Sequence, residues 1–68
     1  MNEKTVDEKI RIIAEAIKSG GYDVHDQLTG YLLSGDETYI TRRDNARALI
    51  STLDMYNIRT FVDSLVKG

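Results

Sequence analysis

The chain has no cysteine, no proline and no tryptophan, and it holds a single histidine and a single phenylalanine in 68 residues. Without cysteine, neither disulfides nor Cys-based zinc sites can stabilise so short a fold. Without proline, glycine and short polar residues must punctuate the chain. His25 stands alone, and the nearby Asp23 and Asp26 match neither an EF-hand loop nor a His-Glu-x-x-His helix, so no metal site is expected. Long apolar runs are also missing: "IRIIAEAI" is interrupted by Arg11 and Glu15 and is too short to span a bilayer. Nothing resembles a signal peptide, so a cytoplasmic location with no membrane partner is the default expectation. Positive charge is not in excess. A net charge of −2 and a pI near 5.2 argue against non-specific binding to nucleic acid or anionic membrane. No Gly-x-Ser-x-Gly elbow is present, and "SGDE" at Ser34–Glu37 has one glycine and no lysine, so it reads as a helix-end turn rather than a phosphate loop. With no nucleophile–base or acid–base pair visible, the chain reads as a non-enzyme without catalytic residues or cofactor.

What is present is helical periodicity. Apolar residues make up 41% of the chain, and Ile, Leu, Val and Phe total 18, enough for one small domain over residues 1–68 but a modest core for a monomer. That shortage favours a homodimer. "TVDE" forms a capping box, with Thr5 as N-cap and Glu8 at N3, and Val6, Ile10, Ile13, Ala14 and Ile17 continue it as an amphipathic helix over 6–19. Gly20 and Gly21 stop it, one of them in the left-handed conformation. Asp23 caps a second helix, with Asp26 at N3 and Val24, Leu28, Tyr31 and Leu32 on one face, closed by Gly35. "DETYI" forms a single helical turn or a bend, with Asp36 as its cap. Thr41 is expected to start a third helix, with Asp44 at N3 and Ala46, Leu49, Ile50 and Leu53 as its stripe. The five-residue step from Leu53 to Ile58 breaks phase. A joint therefore falls near Asp54, and a last helix runs over 55–66 with Ile58, Phe61, Val62 and Leu65 inward. No strand alternation competes. The expected fold is all-α, a compact bundle of four to five short helices.

Three features stay open at this level. Gly30 inside the second helix costs about 1 kcal/mol against alanine. It marks either a tolerated weakness or a close approach by another helix or chain. Tyr22, Tyr31 and Tyr39 surround the glycine-rich middle, each either burying its ring with the hydroxyl on a polar partner or forming a binding surface. Charge is polarised: 19–41 holds Asp23, Asp26, Asp36 and Glu37 with no Lys or Arg, and Arg42, Arg43 and Arg47 then follow with only Asp44 among them. Two arginines in the first turn of a helix oppose its dipole. They are held by Asp36, Glu37 or a partner subunit, or form an anion site with the free N–H groups of the helix start, with Arg47, Tyr39 and Asn45 as further candidates for that interaction site, or extend into water. A nucleic-acid-associated role for Arg42, Arg43 and Arg47 is the alternative function.

The stretch "GGYDVHDQLTGYLLSGDETYITRRDNARALI", residues 20–50, resembles the IreB family of small bacterial regulatory phosphoproteins. The resemblance rests on Gly21-Tyr22, Gln27, Gly30-Tyr31, Leu33 to Asp36, Tyr39 to Thr41 and Asn45 to Arg47, and it extends more loosely over 6–66. It implies an all-helical, homodimeric cytoplasmic protein without catalytic activity, linked to a transmembrane Ser/Thr kinase and to cell-envelope stress. Family members carry the kinase's threonines on an arm ahead of the first helix, whereas Thr5 here reads as a cap and only a weak phosphorylation candidate. Met55-Tyr56-Asn57 also stands where the family usually has an Arg-Asp-Glu run.

Overall fold

The computed structural model describes residues 4–67. Among these the fold is all-helical: α1 Val6–Ser19, α2 Val24–Ser34, α3 Ala46–Ile50 and α4 Met55–Lys67, with two 3-10 turns at Glu37–Tyr39 and Arg43–Asn45.

Local chemistry sets most of these limits. At the start of α1, the Glu8 N–H donates to Thr5 Oγ1 at 3.1 Å and the Thr5 N–H donates to Glu8 Oε1 at 2.8 Å, closing the expected capping box. Gly21 takes φ +84°, the left-handed step after the helix. Asp23 caps α2 by accepting from the Asp26 N–H at 2.9 Å. Gly35 ends that helix at φ 73°, donating to the Tyr31 carbonyl at 2.7 Å. Asp54 lies at the joint, its Oδ1 accepting from the Tyr56 N–H at 3.3 Å, and α4 begins directly after it.

The helix expected from Thr41 does not begin there. Asp44 and Asn45 both adopt left-handed backbone, at φ 49° and 64°, so Asp44 cannot serve as an N3 residue and the α-helix starts only at Ala46. Asp and Asn visit this region more readily than other side chains. Thr41 instead closes a local turn, its Oγ1 accepting from the Arg43 N–H at 3.3 Å. Arg42 and Arg43 therefore stand at the start of a tight turn rather than in the first turn of α3, and the conflict with a helix dipole does not arise.

Packing runs in two pairs, α1 on α3 and α2 on α4. The core holds Ile13, Ala16 and Ile17 from α1, Val24, Leu28 and Tyr31 from α2, Ala46 and Ile50 from α3, and Ile58 and Val62 from α4. Ile40, between the 3-10 turns, joins them at 1% exposure. One isoleucine so buried contributes roughly 1.5–3 kcal/mol, and it pins the whole connecting segment to the bundle. At the ends of the stripes the burial fades: Val6 and Leu65, both expected inward, are 40% and 39% exposed.

Candidate functional site

The segment between α2 and α3 lacks a regular backbone ladder, so side chains must satisfy it. Gln27, half-buried on α2, accepts the Thr41 N–H on Oε1 at 3.1 Å. Arg47, half-buried on α3, donates from Nε to the Ile40 carbonyl at 3.1 Å and from a terminal nitrogen to the Thr38 carbonyl at 3.5 Å. Asp36 closes the first turn, accepting from the Thr38 N–H at 3.0 Å and the Thr38 hydroxyl at 2.8 Å. Those two bonds, with a smaller contribution from the Arg47 charge, hold the Asp36 carboxyl below its usual pKa of 3.8.

The tyrosines answer the glycine question. A Cβ on Gly30 would lie 2.7 Å from Tyr39 Cδ1, so of the two readings left open at Gly30 the structure has the close approach, made by a ring of the same chain. Tyr22 lies against Gly20 in the same way, 3.1 Å from where a Cβ would stand. Only Tyr31 of the three is buried; Tyr22 and Tyr39 are 56% and 53% exposed, so burial of all three rings is not what the fold provides.

The arginines do not act as a block. Arg43 turns back toward α1, its Nε 3.4 Å from Ser19 Oγ. Arg42 and Arg47 instead line one open groove of about 430 Å³ with Glu37, Asn45, Ala48 and Ser51. Asp36 Oδ1 accepts from the Thr38 N–H and hydroxyl, and Arg43 reaches Ser19, so these hydrogen bonds do not join the two residues to each other. Of the candidate residues, the fold thus unites Arg42, Asn45 and Arg47. It sends Arg43 to one side and lays Tyr39 on α2. Thr5, the candidate phosphorylation residue, is exposed, with its hydroxyl engaged as the α1 cap.

A second, larger groove of about 630 Å³ runs between α2 and α4, lined by His25, Thr29, Leu33, Tyr56, Arg59 and Val66 among others. Its apolar walls are open to solvent: Leu33 is 84% exposed, Tyr56 73% and Val66 72%. Thr29 Oγ1 is buried beneath it without a hydrogen-bond partner among the described residues. Asp23, His25 and Asp26 place ligand-type atoms within 4.8 Å of one another, with one Asp23 oxygen already committed to the α2 cap. No helix among the described residues is long and apolar enough to cross a membrane.

The family described as IreB regulatory phosphoprotein matches residues 1–67, nearly the whole chain and all of the segment that Gln27, Ile40 and Arg47 hold in place. The chain belongs to the IreB family. It is similar to a UPF0297 protein of Ruminiclostridium cellulolyticum, 42% identical over 55 residues, which cover 78% of this chain and 62% of that protein. The chain therefore matches less than two thirds of that relative's length. Several of the residues on which the resemblance rests build the connecting segment: Gln27, Gly30, Asp36, Tyr39, Ile40 and Arg47.

Sequence reasoning missed the α2–α4 groove. A signal existed: Leu33 follows Leu32 directly, about 100° further round the helix, and so falls off the face that Val24, Leu28, Tyr31 and Leu32 share. Asp44-Asn45 was likewise a readable left-handed turn signal.

Proposed function

We propose that this chain is a non-enzymatic regulatory protein that works by protein–protein contact, with the α2–α4 face as its homodimer interface. The observation that carries the reading is the open apolar groove holding Leu33, Tyr56 and Val66, side chains that a solitary domain gains nothing by exposing together. The occupant is a second copy of this chain. Arg59 and Asp63 stand four residues apart on α4 in that groove, so a two-fold axis across the helix places Arg59 of one copy against Asp63 of the other, twice. The small core supports the same assignment, because burial between copies supplements it. Cytoplasmic action and control by a Ser/Thr kinase belong to this proposal too, supported by membership of a regulatory phosphoprotein family. A role with nucleic acid draws less support, since Arg43 is turned away from Arg42 and Arg47.

Sedimentation tests the interface. The wild-type chain sediments as a dimer whose melting temperature rises with concentration. Leu33→Asp, at a site open in the single copy, gives a folded monomer. A wild type that stays monomeric at high concentration, or a Leu33→Asp variant that still dimerises, overturns the proposed face.

A further inference from the structure

The groove beside α3 poses a separate problem, because its two arginines, Arg42 and Arg47, outnumber the single acid in its wall, Glu37. Arg47 spends its hydrogen bonds on the neutral carbonyls of Ile40 and Thr38, which fix the guanidinium without cancelling its charge. Arg42 is exposed and donates no hydrogen bond to any described residue. Asn45 makes no capping bond with its side chain, although it directly precedes α3, so its amide remains available at the groove. The left-handed pair Asp44 and Asn45 bends the backbone between the two arginines, and both reach the same groove. Ser51 adds a hydroxyl, and Glu37 is the acidic residue in the wall.

We infer that this groove is a recognition site for a phosphate monoester on a peptide, with Arg42 and Arg47 sharing the phosphate and the Asn45 amide donating beside them. A phosphorylated side chain carries nearly two negative charges and three acceptor oxygens, matching two guanidinium forks better than one carboxylate does. Arg47, already oriented by backbone carbonyls, supplies the fixed half of the clamp, and Arg42 the half that closes. Glu37 opposes the phosphate and sets the affinity below what two free arginines would give. This site lies apart from the α2–α4 face, and the two assignments stand or fall independently.

The test uses the full chain and a short alanine peptide carrying one phosphothreonine, with the unphosphorylated and glutamate versions and inorganic phosphate as comparisons. Binding is followed by NMR at the Arg Nε–H and Asn45 amide signals. The phosphopeptide produces saturable shifts at Arg42, Asn45 and Arg47, and the unphosphorylated peptide produces none. Arg42→Gln weakens binding about tenfold, the usual scale for one charge-assisted hydrogen-bonding group. Arg42 makes no internal hydrogen bond, so this variant keeps the wild-type amide spectrum. Arg43→Gln leaves the affinity unchanged, and Glu37→Gln raises it. Any of four results overturns the inference: no saturation; equal affinity for inorganic phosphate or the glutamate peptide; an Arg42→Gln variant that binds like wild type; or displacement by duplex oligonucleotide with a steep inverse salt dependence, which would assign the arginines to nucleic acid.

Discussion

α1 and the connecting segment between α2 and α3 are held by different physics. α1 is closed by its own neighbours: Thr5 and Glu8 satisfy its first N–H groups reciprocally, and one apolar face meets the core. The connecting segment has two short 3-10 turns and depends on distant side chains, Gln27 on α2 and Arg47 on α3, together with the buried Ile40. Local capping makes a helix that tolerates damage one end at a time. Remote anchoring makes a segment that holds or lets go as a unit.

Ile40→Ala should break the comparison most severely. Emptying a site 1% exposed removes about 2–5 kcal/mol of stability, measured by urea denaturation. Loss of well under that would mean Ile40 is not the segment's anchor.

Smaller effects separate the two modes of attachment. Gln27→Ala leaves the Thr41 N–H without its acceptor and should cost about 1–3 kcal/mol. Amide exchange should accelerate across 36–45, with α1 unchanged. Thr5→Ala should cost about 1 kcal/mol and raise exchange only in the first turn of α1. If Gln27→Ala loosened α1 as much as the connecting segment, the two elements would not be held independently.

Acid gives the finest distinction. The Asp36 pKa is lowered in the fold by the Thr38 N–H and hydroxyl, with Arg47 adding to them, so the charged form is the one the turn favours. The contribution is complete above the unfolded value near 3.8 and disappears as pH falls through the lowered folded value. Exchange at Thr38 and Tyr39 should rise in that window, and Asp36→Asn should remove the pH dependence. An identical acid response in the Asn variant would assign the effect elsewhere.

The extents of α1, α2 and α4 could be read directly, because caps, glycine stops and apolar spacing act within a turn or two of chain. The all-helical class and the joint at Asp54 followed from the same local rules. The α3 start could not be placed that way. Thr41 and Asp44 have the right spacing for a capping box, yet Asp44-Asn45 goes left-handed, with Ile40 in the core on one side and Ala46 on the other. That turn also determines where the arginines go. A sequence places Arg42, Arg43 and Arg47 within six residues. Only the tertiary structure directs Arg43 toward Ser19 and joins Arg42 with Arg47, because side-chain direction there follows two backbone angles that packing, rather than local preference, selects.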